Sequence, residues 1–425
     1  MNVFKIKVMG LSSLILMFSA ATIQASDAAY RLNEIKIIGD SLSDLAKVPG
    51  SATIITTEQI KASQPFTANE LLKNVPGVTV RDEEGMGRRP NISFRGMSTD
   101  RSRKVLILED GVPVSLAPYG ENAAYYSPDI DRISQVEVRK GSSSILYGPQ
   151  TLAGVINYMT PSIPLERDAS VKTIVGGNGF NSLNYRYGNS FGNSGVFVSL
   201  LRKSGEGARE DMPFQIYDLT SKLSTSLTDR SGLMLKWHYF NEESNVSYLG
   251  LTQSEYEANP NQNPAKNDVL YVERLGLSVL HDYQASADTL IQTSVYGHLI
   301  KRDWWRQDFS RDDTTGAVTF KDSNGGRNRF YKVLGIEPRV EKGNWTFGTK
   351  LHFEEERNQR INGNSATART AAKGIASTSG LQDDEIRSTV ASSGFAQYQR
   401  PLSKQIQVSA GLRAEAYQQR RQVMI

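Results

Sequence analysis

Arginines in two parts of the chain are the residues whose type and grouping point most directly to binding chemistry. Four lie in the polar runs EEGMGRRP and STDRSRK, and two more flank the tryptophan pair of KRDWWRQDF. A guanidinium group can hold a carboxylate through two parallel hydrogen bonds. Any one arginine can instead serve surface solubility. As a set they favour an anionic ligand, and they are Arg88, Arg89, Arg101, Arg103, Arg302 and Arg306.

Residues that support enzymatic or metal chemistry are missing or scattered. The chain has no cysteine, which excludes disulfides, thiolate metal sites and cysteine nucleophiles. No serine-hydrolase, paired His-Glu or phosphate-loop motif occurs, and GMGRRP lacks the helix that a nucleotide-binding fingerprint needs. The net charge of +4, with both signs mixed, gives no nucleic-acid footprint. We therefore predict no enzyme, no catalytic residue and no metal site. The four histidines lack metal-ligand spacing: His238, His281, His298 and His352.

The first 25 residues have the pattern of a secretory signal peptide. Two lysines precede an apolar run from about Val8 to Phe18, and small residues follow up to Ala25. An uncleaved signal anchor is the alternative, but the run is shorter than the ~20 residues of a membrane helix. No later run reaches that length, so an exported chain that enters a membrane must do so as a β-barrel.

The rest of the chain divides into two parts with different hydrophobic patterns. Residues 41–165 mix helix caps, short strands and an Asp110–Gly111 hairpin turn, which is typical of a compact α+β domain. Residues 166–425 alternate apolar and polar positions over about eleven long strands, as in GLMLKWHYF and QIQVSAGLRAEAY. A soluble sandwich also alternates, but its strands are shorter and do not carry arginine and glutamate at their centres.

The links between these strands alternate in length. Short links such as LTDRSG and VEKGNW are followed by long ones. A transmembrane barrel needs this parity, because its tight periplasmic turns and its long external loops lie at opposite ends. We therefore predict a transmembrane β-barrel. The predicted long links are residues 203–214, 242–267, 302–327 and 356–385.

Residues 30–165 resemble the plug domain of TonB-dependent outer-membrane receptors. The resemblance rests on the order and spacing of NVPGVTVRD, NISFRGM, VLILEDGVPV, ISQVEVRKG and YGPQTLAGVINYMT. SLAPYGEN followed by ILYGPQTLAGVINYMT is most similar to the ferric dicitrate receptor branch. The resemblance implies a barrel of about 22 strands, roughly half of them present here, with the N-terminal α+β plug domain inside the lumen.

The resemblance also implies a TonB box in the segment 26–40. Such a box adds as a strand to the periplasmic protein TonB, and main-chain hydrogen bonds supply the affinity. NEIKIIG lies at the expected place, although it can also be the first strand of the plug. The implied TonB-binding residues are Asn33, Glu34, Ile35, Lys36, Ile37 and Ile38.

The implied ligand is a ferric chelate, ferric citrate or a related siderophore, bound by plug loops and external loops. Its iron stays with the chelator, so we expect no protein cofactor. The alternatives are a passive porin or adhesin, or a receptor for haem, cobalamin or another metal chelate. We expect a monomer in the bacterial outer membrane. There, any one of the arginines can contact lipopolysaccharide and not the ligand. Tyr119, Glu121 and Asn122 join the six arginines as predicted ligand-binding residues.

The second part of the sequence is too short for the barrel that the resemblance implies. Residues 166–425 are too few for a barrel of about 22 strands, and the sequence stops at YQQRRQVMI without a terminal aromatic residue. An open half-barrel would leave backbone edges unpaired in lipid. We therefore expect the sequence to represent a fragment or a truncated reading frame.

Overall fold

Two units make up the part of the chain that the structure describes. The computed structural model describes residues 32, 35, 37, 38, 45, 48, 50–84, 86–247, 249–369, 380–403 and 406–424. An N-terminal unit lies between Ser51 and Met159, and one large sheet lies between Asp168 and Val423. The two units fall within the predicted segments 41–165 and 166–425, whose limits stay predictions. The predicted signal peptide, residues 1–25, lies outside the described residues.

Two short helices and a five-stranded sheet build the N-terminal unit. Helix α1 spans Thr57–Ser63 and α2 spans Ala68–Leu72. Thr56 and Thr67 cap them, because each hydroxyl accepts a hydrogen bond from the backbone N–H three residues on. The backbone of Thr56 is extended, as a cap requires, and the helix begins at the next residue. Among the described residues, no helix is long and apolar enough to cross a membrane. The strands are β1 (Ser51–Ile55), β2 (Val78–Val80), β3 (Ile92–Phe94), β4 (Val105–Glu109), β5 (Val112–Pro113), β6 (Gln135–Lys140) and β7 (Gly154–Met159).

The sheet of this unit has the order β1-β6-β7-β4-β5, and β2 pairs with β3 beside it. Strands β4 and β7 run parallel, and the other pairs are antiparallel. The predicted hairpin is confirmed: Asp110 and Gly111 join β4 to β5 with φ angles of 48° and 79°. Positive φ at both central residues is the geometry of a type I′ turn, which matches the twist of paired strands.

Eleven antiparallel strands form the second unit, which we call the wall. They pair in sequence order from β8 to β18, as the alternating pattern predicts. Their length grows from 8 residues in β8 to 25 in β15. They are β8 (Asp168–Val175), β9 (Asn181–Phe191), β10 (Ser194–Gly205), β11 (Phe214–Thr228), β12 (Ser231–Ser244), β13 (Val269–Ser286), β14 (Thr289–Arg311), β15 (Val318–Lys342), β16 (Trp345–Gly363), β17 (Leu381–Pro401) and β18 (Gln407–Val423).

The wall carries apolar side chains on its outer face and polar ones on its inner face. Leu277 and Leu351 are 51% and 59% exposed, whereas Lys222, His298 and Glu354 are almost completely buried against the N-terminal unit. A water-soluble sheet has the opposite arrangement. Apolar side chains turned outward and polar ones turned inward are the arrangement of a strand that faces lipid, and the predicted alternation is confirmed.

The connections differ between the two ends of the wall. At the turn end, two residues join β11 to β12, β13 to β14 and β15 to β16. At the loop end, the connections include residues 206–213, 364–380 and 245–268, and the last contains helix α3 (Gln253–Ala258). Two predicted links are wrong in extent. In place of 302–327, β14 continues to Arg311 and β15 begins at Val318; in place of 356–385, β16 continues to Gly363 and β17 begins at Leu381. Beyond the lipid, backbone pairing can continue without outward apolar residues, so the pattern fades before the strands end.

Candidate functional site

Five arginines gather on the inner face of the wall near its loop end. Arg302 and Arg306 belong to β14, Arg327 and Arg329 to β15, and Arg360 to β16. The pairing register places Arg302 opposite Arg329, and Arg327 opposite Arg360. Residues two apart on a strand share a face, so all five point to the side where Arg302 is buried. We call this group the arginine shelf.

The buried part of the shelf is lined with aromatic rings. The Arg302 guanidinium lies 4.4 Å from the centre of the Tyr125 ring, and Arg306 lies 5.1 Å from that of Trp304. Arg101 approaches Tyr125 at 4.9 Å. A cation over a ring face is attracted by the ring quadrupole, most strongly where water is excluded. Such ring contacts hold a guanidinium group in place without neutralising its charge, although Arg101 is also paired with Glu83.

Two shelf arginines meet without a counter-ion. Among the described residues, no carboxylate lies within ion-pair distance of Arg327 or Arg360, although Asp383 stands opposite Arg360 on β17. Like charges directly opposite on neighbouring strands destabilise a sheet. An anion bound across the pair would relieve this repulsion, so these two side chains form the part of the shelf that is best suited to a carboxylate ligand.

A loop of the N-terminal unit reaches the other end of the shelf. Glu121 accepts hydrogen bonds from Arg329 at 2.6 Å and from Arg103 at 3.0 Å. Burial alone would raise the pKa of the Glu121 carboxyl, but Arg329 and Arg103 outweigh burial, and its pKa lies below the usual value. The Tyr119 and Gly120 backbone N–H groups donate to the wall residue Glu354 at 3.2 and 2.6 Å. The loop is therefore fastened to the wall by two carboxylates.

The nine predicted ligand residues divide into two groups. Arg103, Tyr119, Glu121, Asn122, Arg302 and Arg306 lie at the shelf or in the loop that faces it. The other three are paired inside the protein. Arg88 and Arg89 bind Glu84 and Glu242, and Arg101 binds Glu83. Burial raises the pKa of the Glu84 carboxyl, although both arginines oppose the shift.

Sequence reasoning did not find Arg327, Arg329 and Arg360. They lie in or beside segments predicted to be long links, where alternation was not sought. A signal was present, because Arg327, Arg329, Tyr331 and Val333 continue one face of β15 without a break. Among the described residues, no group of three histidine, cysteine, aspartate or glutamate side chains is placed to hold a metal ion.

A second group of charges joins the N-terminal unit to a different part of the wall. Arg132 donates to Glu109 and Asp218, both at 2.9 Å, and Lys236 binds Glu109 and Asp110. Burial alone would raise the pKa of the Glu109 carboxyl, but Arg132 and Lys236 hold it well below its usual value. We call this group the anchor cluster: Glu109, Asp110 and Arg132 from the N-terminal unit, and Asp218, Lys222 and Lys236 from the wall.

The predicted TonB-binding segment is only partly described. Asn33, Glu34 and Lys36 lie outside the described residues. The Ile37 and Ile38 N–H groups donate to the Glu137 carboxylate at 2.9 and 3.2 Å, and Arg139 donates to the Ile37 carbonyl at 2.7 Å. The Ile35 carbonyl accepts from Asn157 at 3.4 Å. Each of these contacts involves the main chain of the segment, so none depends on its side chains.

Comparison with known proteins places both units in one family of folds. Residues 44–155 match the family model described as the TonB-dependent Receptor Plug Domain. A curated relative, the vitamin B12 transporter BtuB of Vibrio vulnificus, is 30% identical over 254 residues, which are 59% of this chain and 39% of the relative. The vitamin B12 transporter BtuB of Photobacterium profundum is 28% identical over 201 residues, 45% of this chain and 32% of that one.

Solved structures match over more of the chain. The unliganded ferric citrate transporter FecA superimposes with a TM-score of 0.80 at 20% identity, over 93% of this chain and 60% of that one. The ferric-catecholate import receptor Fiu of E. coli K12 gives 0.71 at 16% identity, over 89% and 61%. At these identities the likeness shows the fold. The chain spans about 39% of the first curated relative and 60% of FecA, in agreement with the prediction that about half of the barrel is present.

Proposed function

Since the chain belongs to the TonB-dependent receptors, whose place is the bacterial outer membrane, we propose that it binds an anionic ferric chelate and passes it to the periplasm with energy from TonB. Ferric citrate is the chelate that we propose first. The iron travels as cargo inside its chelator, and the protein holds the carboxylates of the chelator. The arginine shelf is the proposed binding surface, together with Arg103, Tyr119 and Asn122.

The observation that carries this proposal is the pair Arg327 and Arg360, which stand opposite each other and have no carboxylate within ion-pair distance among the described residues. Two guanidinium groups on neighbouring strands repel each other, and the wall keeps them opposite by its backbone register. A chelate with several carboxylates supplies the missing negative charge through short charge-assisted hydrogen bonds. The loop-end position suits a ligand that arrives from outside the cell, because long barrel loops face that side.

Cobalamin is the second candidate ligand, because the curated relatives are named vitamin B12 transporters. Cobalamin presents mainly amides and carries much less negative charge than a ferric polycarboxylate. A shelf of five arginines therefore favours the ferric chelate. The two ligands differ in a measurable way, since only the anionic one should bind more weakly as salt is added.

Equilibrium binding of iron-55 ferric citrate and of cyanocobalamin to the detergent-solubilised chain tests the ligand. We expect saturable ferric citrate binding that weakens between low and physiological salt, and no competition by cyanocobalamin. Iron-loaded hydroxamate and haem serve as further competitors. Tight, salt-independent cyanocobalamin binding without ferric citrate binding would replace the proposed ligand with cobalamin.

Energy coupling is the second part of the proposal. Strand addition needs free main-chain groups, whereas those of Ile37 and Ile38 are occupied by Glu137 and Arg139. TonB would therefore bind after this segment leaves the N-terminal unit. In cells that carry this chain as part of a complete barrel, deleting residues 33–38 should abolish uptake of iron-55 ferric citrate and leave its binding intact. Unchanged uptake by the deletion variant would instead favour a passive porin.

A further inference from the structure

Two arginine pairs of the shelf have the same geometry but different surroundings. Arg302 faces Arg329 and Arg327 faces Arg360, each pair directly opposite in the pairing register. The first pair has two carboxylates beside it, because Glu121 binds Arg329 at 2.6 Å and Glu356 lies 3.8 Å from the same guanidinium group. The second pair has no ion-pair partner among the described residues. Along β15, Arg327 and Arg329 are two residues apart, or about 7 Å, so one polycarboxylate chelate can span both.

Glu121 is built into the N-terminal unit and not into the wall. Its other carboxylate oxygen accepts from Arg103 at 3.0 Å and from the Ala123 N–H at 3.1 Å. The backbone of Glu121 also pairs with Ala117, which closes the loop into a tight turn. The carboxylate therefore presents itself to Arg329 in a fixed orientation, as a carboxylate of a bound chelate would.

We propose that Glu121 is a built-in competitor of the anionic ligand, which it mimics at Arg329. The ligand binds first to Arg327 and Arg360, then exchanges one of its carboxylates for that of Glu121. The exchange breaks the Glu121–Arg329 ion pair and loosens the loop of residues 117–122 from the wall. This inference rests on the proposed function. It changes the role expected of Glu121, which was predicted to bind the ligand: Glu121 opposes ligand binding, whereas the neighbouring shelf arginines support it.

Three substitutions test the competition by iron-55 ferric citrate binding to the detergent-solubilised chain. Glu121→Gln keeps the shape of the side chain and removes its charge, so affinity should rise roughly tenfold, the effect of one charge-assisted hydrogen bond. Arg329→Gln should lower affinity by a similar factor. Glu355→Gln is the matched control, because Glu355 binds Lys332 on the outer face of the same two strands, and it should leave affinity unchanged.

A second readout follows the loop of residues 117–122 by chemical labelling of a nearby thiol. The chain has no cysteine, and Ala123 is fully buried, so Ala123→Cys introduces one hidden thiol. We expect slow maleimide labelling of this thiol, faster labelling after addition of Glu121→Gln, and faster labelling when ferric citrate is added to the otherwise unchanged protein. Labelling that is no faster with Glu121→Gln would overturn the loosening of the loop, because the hydrogen bonds to Glu354 would then hold the loop without the ion pair.

The binding results separate this inference from the proposed function. Equal affinity of the original protein and Glu121→Gln for ferric citrate, or weaker binding by Glu121→Gln, overturns the competition and leaves the proposed function intact. If ferric citrate binds neither protein, the proposed function fails and the competition fails with it. Stronger binding by Glu121→Gln, together with weaker binding by Arg329→Gln, supports both.

Discussion

The anchor cluster and the arginine shelf are built from the same kinds of side chain, yet they differ in how their charges are balanced. In the anchor cluster, three carboxylates meet three cations within ion-pair distance, and Arg132 is 1% exposed. In the shelf, Arg327 and Arg360 stand opposite each other, and no carboxylate among the described residues lies within ion-pair distance of either, although Asp383 is the register partner of Arg360 on the next strand. Both regions join the N-terminal unit to the inner face of the wall, but only the shelf opens toward the loop end.

The difference in charge balance indicates a different role for each region. Buried charges are tolerated when each has a partner with good geometry, and removing one partner leaves an uncompensated charge in a place that water does not reach. The anchor cluster therefore fixes the N-terminal unit to strands β11 and β12. In the shelf, Arg327 and Arg360 keep their positive charge without an ion pair among the described residues, and they can do so because Arg327 is half-buried and Arg360 is exposed. The first region holds the molecule together, and the second is free to accept an anion.

The largest effect that we expect comes from removing Arg132. Arg132→Ala leaves Glu109 and Asp218 buried without their shared partner, which should lower the free energy of unfolding by about 3–5 kcal/mol. Guanidinium unfolding of the protein in detergent micelles measures the change. Lys73→Ala is the control, because Lys73 and Asp82 form an exposed pair that should contribute less than about 1 kcal/mol. Similar losses for both variants would contradict the contrast between the two regions.

The next effect concerns binding and not stability. Arg327→Gln combined with Arg360→Gln should weaken ferric citrate binding by about 100-fold, because two charge-assisted contacts are lost. The free energy of unfolding should stay the same or rise, since a repulsion between register partners is removed. Binding isotherms and unfolding curves on the same preparations check both. A large loss of stability would show that these arginines hold the fold, as the anchor cluster does.

Sequence patterns were sufficient for the fold because they report which face a residue occupies. The alternation in GLMLKWHYF predicted a two-faced strand, and the Asp110–Gly111 pair predicted the hairpin turn of the N-terminal unit from local backbone geometry alone. Both features depend on neighbours in the sequence. The structure confirms them, and it confirms the large antiparallel sheet.

The site required the pairing register, which periodicity does not contain. That Arg327 meets Arg360 depends on how β15 aligns with β16, and a pattern of period two leaves that alignment open. The sequence pattern also does not reveal ion pairs between residues that are distant in the sequence, such as the buried pair of Arg89 and Glu242. One local hint existed, because Glu84 lies four and five residues before the two arginines of GRRP and forms ion pairs with both.

A smaller effect is expected where the N-terminal segment contacts the N-terminal unit. Glu137→Gln weakens the hydrogen bonds that hold Ile37 and Ile38, each worth about 1 kcal/mol or somewhat more when a charge takes part. Capture of the detergent-solubilised chain by an immobilised TonB C-terminal domain should rise severalfold, with ferric citrate affinity unchanged. Glu355→Gln again serves as the control. Unchanged capture would mean that Glu137 does not restrain this segment.

The smallest effect that we expect comes from acidification, which should weaken the Glu121 contact of the shelf at a higher pH than it weakens the anchor cluster. Glu109 and Glu121 both have folded-state pKa values below the usual carboxyl value of about 4.3, Glu109 well below it. A depressed pKa gives stabilisation that is complete above the unfolded value and is lost as pH falls through the folded one. Because the pKa of Glu109 is held down by two buried cations, we expect the Glu121 contact to be lost first. The labelling rate of Ala123→Cys, divided by the rate of a free thiol at the same pH to correct for the falling thiolate fraction, should therefore rise as pH falls below about 4.3, before the unfolding free energy drops, and Glu121→Gln should remove that rise. Simultaneous changes in both signals would mean that the shelf loop and the anchor cluster respond as one unit.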